Sequence, residues 1–213
     1  MDREKIFDSF VVNKYIAHRG LHNDVFPENS LGAFQNAIDN GYAIELDVHL
    51  LSDGTVAVFH DTKLARMTGK DGYIKNLKAE DLKDYKLLET EYCIPTLKEV
   101  LDLVDGKTGI LVEIKNKSSK AGPLEKAVCK LLREYKGDVA VISFNPMALE
   151  WFSKYSPNVL RGQLSYFYND EDGKKISFVR RFALKRMLLN SRSKPDFISY
   201  SIDNLPNRYV KKY

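Results

Sequence analysis

Apolar and polar positions follow two rhythms along this chain. Short runs rich in β-branched residues recur at Tyr15–His18, Ala43–Leu50, Val56–His60, Gly109–Lys115, Val139–Phe144, Val159–Leu164 and Asp196–Ile202. Runs of this length and composition read as strands. Between most of them, apolar residues return every three or four positions. Leu31, Phe34, Ala37 and Ile38 share one helical face, with Asn29 or Ser30 as the N-cap and Gly41 at the C′ position. Leu97, Val100, Leu101 and Val104 repeat the pattern after Pro95-Thr96. Leu124, Ala127, Val128, Leu131 and Leu132 repeat it before Gly137. Strands alternating with helices predict βαβ units and a parallel sheet of the α/β class, open and doubly wound or closed into a barrel. No Gly-x-Gly-x-x-Gly follows the first strand and there is no Walker A sequence, which weakens the case for a nucleotide-binding open sheet. The polar, turn-rich stretch around 63–91 reads as an insertion.

Polar residues interrupt the strands at a few positions. A parallel sheet is covered on both faces, so its strands should be apolar throughout. In Ala43–Leu50 a period of two puts Glu45, Asp47 and His49 on one face, with Ile44, Leu46 and Val48 on the other. In Gly109–Lys115, Glu113 and Lys115 share a face with Leu111. A buried carboxylate is costly unless it is paired or metal-bound. Three of them, near the C-terminal ends of two strands, point to a hard-cation site, and all-oxygen ligands favour calcium or magnesium over zinc. The alternative is a metal-free network of Glu113–Lys115 and Asp47–Arg19 ion pairs.

All four histidines (His18, His22, His49 and His60) lie in the first 60 residues. His18 and His60 end strand-like runs, and in a parallel barrel the C-terminal strand ends form the active face. Two histidines there can serve as general base and general acid near neutral pH; either one alone reads more readily as a hydrogen-bonded cap. A cation beside Arg19 and Lys115 would suit a phosphodiester under attack by water. No Gly-x-Ser-x-Gly is present, and the chemistry needs no serine nucleophile.

Composition changes this picture little. A chain of 213 residues with 44% apolar content can form one domain with a sizeable core. The net charge of +4 is spread among interleaved acids and bases, far from a nucleic-acid-binding stripe. Cys93 and Cys129 form no zinc or disulfide pattern and read as reduced thiols. The charged N-terminus lacks an apolar signal core and no run approaches the ~18 apolar residues of a membrane span, so the expected location is cytoplasmic. Ile176–Leu189 is a basic amphipathic stretch, either an outer barrel helix or a membrane-surface helix.

The residues from His18 to Gly69 closely resemble the glycerophosphodiester phosphodiesterase family. The resemblance is carried by His18-Arg19-Gly20, Pro27-Glu28-Asn29-Ser30, Glu45-Leu46-Asp47-Val48, Asp53-Gly54 and His60-Asp61, then by Pro95-Thr96-Leu97, Glu113-Ile114-Lys115 and Ser143-Phe144. It implies a (β/α)8 TIM-type barrel. It also implies metal ligands at Glu45, Asp47 and Glu113, an acid–base pair at His18 and His60, and phosphate-binding cations at Arg19 and Lys115. Glu28, His22 and Phe144 are further candidates near the site. The implied reaction is metal-dependent hydrolysis of a small glycerophosphodiester to glycerol 3-phosphate and an alcohol, with one calcium or magnesium ion. A lysophospholipase D or sphingomyelinase D relative acting on lipid-tailed substrates, or an inactive binding barrel, are the rival functions. Such a barrel needs eight strands and about 250 residues. Ala43–Leu50 and Val56–His60 share one position through a hairpin at Ser52-Asp53-Gly54, which leaves about six barrel strands. Two more are expected to follow a helix at Asn207–Tyr213, so the chain reads as C-terminally truncated.

Overall fold

Among the described residues seven strands form one sheet: β1 (Ile16–Ala17), β2 (Ala43–Leu50), β3 (Val56–Val58), β4 (Ile110–Ile114), β5 (Val139–Ser143), β6 (Leu160–Ser165) and β7 (Phe197–Tyr200). The computed structural model describes residues 6–118 and 120–212. Six strands run parallel in the order β1-β2-β4-β5-β6-β7, and β3 pairs antiparallel with β2. The main helices are α1 (Leu31–Asp39), α2 (Leu97–Val104), α3 (Pro123–Glu134), α4 (Pro146–Tyr155) and α5 (Phe178–Lys185). This is an incomplete (β/α) barrel with six parallel strands. Among the described residues, β1 and β7 each have a single strand neighbour.

The strand parity read from the sequence divides the core in two. Ile44, Leu46, Val48, Ile110, Val112 and Ile114 pack with Phe34 and Ala37 of α1, Leu97, Val100, Leu101 and Val104 of α2, and Val128 of α3. On the opposite face, Ala43, Leu111, Ala140, Ile142 and Leu160 pack with Ile6 and Phe10. The N-terminal turn Phe10–Asn13 thus plugs the end of the sheet where the strands begin. Phe10 lies flat on Gly109, and no side chain larger than hydrogen fits there. The opposite, C-terminal strand ends stay open for polar residues.

Local chemistry explains the helix starts. Ser30 caps α1, its Oγ accepting from Ala33 N–H at 3.0 Å. Thr96 and Glu99 close a capping box on α2. Asn145 caps α4, with Pro146 in its first turn.

Val56–His60 shares one barrel position with Ala43–Leu50 through the expected hairpin. It folds back on β2 with Val58 opposite Val48, which returns His60 to the level of Asp47: Phe59 N–H bonds the Asp47 carbonyl at 2.9 Å. The insertion is more than a polar loop. Leu64, Met67, Ile74, Leu77, Leu82, Leu87 and Ile94 form a small core with Leu51, Ala57 and Phe59 of the hairpin. The amphipathic stretch at Ile176–Leu189 is helical only as α5. Met187 at φ 54° turns the chain, and Leu188 N–H bonds the Ala183 carbonyl in a Schellman-type end. At Asn207–Tyr213 the structure shows a short 3₁₀ turn, Val210–Lys212; Tyr213 lies outside the described residues.

Candidate active site

Glu45 and Asp47 of β2 and Glu113 of β4 converge because of register. Asp47 stands opposite Glu113 across the parallel pair, and Glu45 is one pleat earlier on the same face. All three are buried, and each offers an oxygen within 4.8 Å of the others. Lys115, one pleat beyond Glu113, reaches back between them. Its Nζ is 2.7 Å from Glu113 Oε1 and 2.9 Å from Asp47 Oδ1. The contact with Asp47 Oδ1 lies off the hydrogen-bonding direction, so that buried oxygen accepts no well-formed hydrogen bond.

The loop after β1 completes the wall. Arg19 adopts φ 56° and donates its backbone N–H to Glu45 Oε2 at 2.9 Å. Its Nε lies 3.5 Å from Asp47 Oδ2. Gly20 follows at φ 79°, and a Cβ there would meet the Ala33 backbone at 2.9 Å, so the turn requires glycine. Asn29, offered by the sequence as a possible cap, does other work. Held by its N–H to the Arg19 carbonyl at 2.9 Å, it donates Nδ2–H to Asp47 Oδ2 at 2.9 Å, while its Oδ1 accepts from Asp47 N–H at 3.3 Å. It is buried, at φ 56°. Asparagine tolerates this left-handed backbone better than most residues.

The histidines separate into different environments. His60 Nδ1 lies 2.6 Å from Asp61 Oδ1. A carboxylate only accepts, so Nδ1 carries the hydrogen and Nε2 presents its lone pair. Burial, followed by the Lys115 charge, lowers the pKa of His60 despite Asp61. His18 is exposed after β1, and burial of part of its ring, then Arg19, lowers its pKa too. Both rings are therefore neutral at pH 7. His49 is buried, and its Nε2–H donates to the His60 carbonyl at 3.1 Å, which fixes the backbone that carries His60. Burial lowers its pKa. His22 is exposed in the loop, close enough for its charge to lower the pKa of His18 slightly. Phe144 stands edge-on to Tyr166, with centroids 5.7 Å apart, and the two line a cleft that also contains His60, Glu113 and Lys115.

Glu28 joins Arg19 at 2.9 Å and also meets Arg66, which in turn holds Asp61. Arg66 has no counterpart in the sequence reading. It sits in the polar segment, where no periodicity marks one arginine above another.

Three carboxylates crowd around one ammonium. Burial, then the neighbouring Asp47 charge, pushes Glu45 up to about 8, and burial raises Glu113 as well. Burial also presses Asp47 upward, but Lys115 and the Asn29 bond outweigh it and hold Asp47 low. With all three ionised, the carboxylates carry one more negative charge than Lys115 and Arg19 balance, and their oxygens fit a divalent cation. A pH dependence follows. Between about 4.5 and about 8 the folded protein keeps a proton on Glu45 that the unfolded chain has released. Stability of the metal-free protein therefore falls as pH climbs through that window. A cation must displace the same proton, so its affinity rises over the same window. Metal is expected to raise the melting temperature, by an amount that widens from pH 5 to pH 8 and then levels. Scanning fluorimetry with calcium, magnesium or chelator checks this; a shift absent at every pH would rule out a cation site.

Fold and site together define a β/α barrel protein with a buried acidic cluster at its strand ends. The chain belongs to the glycerophosphoryl diester phosphodiesterase family, whose model matches residues 18–199. A glycerophosphodiester phosphodiesterase of Bacillus altitudinis is 35% identical over 159 residues, covering 70% of this chain and 64% of that protein. One from Caldanaerobacter subterraneus subsp. tengcongensis is 36% identical over 159 residues, covering 70% of this chain and 65% of that protein. The chain spans just under two thirds of the length of these relatives. The crystal structure of the glycerophosphodiester phosphodiesterase from Thermotoga maritima superposes with a TM-score of 0.68 at 27% identity, over 93% of this chain and 77% of that one.

Proposed function

We propose that this protein hydrolyses small glycerophosphodiesters to glycerol 3-phosphate and an alcohol. The observation that carries the reading is the convergence of Glu45, Asp47 and Glu113 beside Lys115, Arg19 and His60 in a chain of this family. Glu45, Asp47 and Glu113 hold one calcium or magnesium ion, consistent with their all-oxygen donor set. A cation held there would supply positive charge that stabilises the phosphoryl oxygens. Lys115 and Arg19 bind the phosphodiester anion. A neutral imidazole suits the base role near pH 7, and the bound phosphodiester anion favours the protonated form of the other ring. One of His18 and His60 takes a proton from the attacking water as its oxygen bonds phosphorus. The other, protonated, gives a proton to the alkoxide oxygen as the P–O bond breaks. His60 meets the geometric need, with Nε2 free and Nδ1–H anchored on Asp61.

A second reading, action on lipid-tailed phosphodiesters, draws support from α5. Phe178, Val179 and Phe182 are exposed on one side of it, flanked by Arg181, Lys185 and Arg186. Arg180 and Leu184 of the same helix line the cleft that contains His60. Apolar residues rimmed by cations are the pattern of a helix lying on an anionic bilayer.

One assay separates the readings. Glycerophosphocholine, glycerophosphoethanolamine, glycerophosphoglycerol and lysophosphatidylcholine are each incubated with calcium, magnesium or chelator, and the released alcohol and phosphomonoester are followed. Metal-dependent release of glycerol 3-phosphate from the first three is expected. Preference for lysophosphatidylcholine would favour the lipid-tailed reading. Binding without turnover by folded, metal-loaded protein would make the chain a binding barrel and overturn both. No helix among the described residues is long and apolar enough to cross a membrane. Cys129 is buried and Cys93 is unpaired, which fits a reducing compartment such as the cytoplasm.

A further inference from the structure

We propose that Arg66, carried by the insertion rather than the barrel, is a positioning residue that aligns His60 and Arg19 together. The inference rests on the hydrolase reading above. The Arg66 guanidinium makes two two-point clasps. Nε and Nη2 donate to Asp61 Oδ2 and Oδ1 at 2.6 and 3.1 Å, and Nη2 and Nη1 donate to Glu28 Oε1 and Oε2 at 2.7 and 3.0 Å. Each clasped carboxylate passes the constraint inward. Asp61 Oδ1 accepts from His60 Nδ1 at 2.6 Å, and Glu28 Oε1 accepts from Arg19 Nη1 at 2.9 Å. Glu28 lies in the loop between β1 and α1, whereas Asp61 follows the β2–β3 hairpin. Among the described residues, Arg66 is the side chain that joins them.

The clasp is seated from below. Arg66 stands on the short helix Ala65–Thr68, whose flank residues Leu64 and Met67 are buried in the insertion core. Gly69, in the left-handed region, ends that helix. The insertion core therefore acts as the footing of a brace. Without it, Glu28 would keep only Arg19, and Asp61 would no longer be held in place as the anion that selects the His60 tautomer. Both carboxylates are already held well into the ionised range. Asp61 is at about 2, because the bonds from Arg66 and His60 overcome its burial, and Glu28 is lowered by Arg66 and Arg19 against its own burial.

The plain alternative is a half-exposed surface ion pair, since 46% of the Arg66 side chain is in solvent. Isolated pairs of that kind contribute little. The geometry argues otherwise, because a planar fork clasps two carboxylates at two points each, which a lysine ammonium cannot copy. Groups that orient a catalytic residue at one remove cost roughly 10–100-fold in activity when lost.

The test compares the wild type with Arg66→Ala and Arg66→Lys. Expected results are a kcat lowered about 10–100-fold in both, with a smaller change in KM, and a melting temperature close to wild type. Added guanidinium ion should restore part of the kcat of Arg66→Ala, while Arg66→Lys stays low. In ¹⁵N-histidine NMR, His60 should be a single Nδ1–H tautomer in the wild type and a mixture in Arg66→Ala. An active wild type with an unchanged Arg66→Ala kcat overturns the inference. So does a kcat loss that tracks a large fall in melting temperature and ignores guanidinium. An inactive wild type refutes the hydrolase reading instead, and the tautomer measurement then decides the brace by itself.

Discussion

Glu45→Gln should lower metal-dependent turnover by about 10²–10³-fold, the cost typical of removing one preorganised electrostatic element from a transition state. This substitution is the cleanest in the cluster. In the metal-free protein at pH 7, Glu45 already holds a proton, because burial and Asp47 push its pKa to about 8. Glutamine mimics that neutral form and can keep the bond from Arg19 N–H. Stability in chelator should therefore stay near wild type, while the metal-induced rise in melting temperature disappears. Loss of turnover with the fold intact separates a ligand role from a structural one. Glu113→Gln should also lose turnover but is less clean, because Glu113 shares Lys115 with Asp47 and its removal leaves that ammonium half-paired. Wild-type activity and an unchanged metal response in Glu45→Gln would remove Glu45 from the site.

His18→Ala and His60→Ala should each lower kcat by about 10²–10⁴-fold, the usual worth of a positioned proton-transfer group. The two should differ in their dependence on the leaving group. Protonating the departing oxygen matters when that oxygen belongs to choline or glycerol and matters little for nitrophenolate. Whichever variant recovers on a nitrophenyl phosphodiester has lost the acid; the other has lost the base. Asp61→Asn offers a control at His60. An amide can donate toward Nδ1, which would place the hydrogen on Nε2 and block the lone pair that the Asp61 carboxylate leaves free. Its kcat should fall toward that of His60→Ala. If both histidine variants turn over like wild type, the acid–base assignment is wrong.

Much of the cluster could be read before any coordinates. Strand parity put Glu45 with Asp47 and Glu113 with Lys115, and the observed register brings these faces together. The hairpin at Ser52-Asp53-Gly54 was also legible, since Gly54 takes φ 87° in the turn. The choice between Asn29 and Ser30 as the cap was not. Both are good caps locally, and only the approach of Asp47, 18 positions away, draws the Asn29 side chain off the helix.

By itself, then, the sequence determined what depends on periodicity and local bonding. That covers the alternation of strands and helices, the buried acidic face of β2, and the number of parallel strands. The tertiary structure decided whatever depends on contacts distant in sequence. His60 reaches the level of Asp47 because β3 turns back along β2, and His49 anchors its carbonyl from the neighbouring strand. Lys115 bridges two carboxylates because register places them one strand apart. Arg66 clasps Glu28 across 38 positions because the insertion's own apolar core fixes the helix it stands on. Such pairings follow from how packed elements fall against one another, and residue spacing along the chain does not encode that directly.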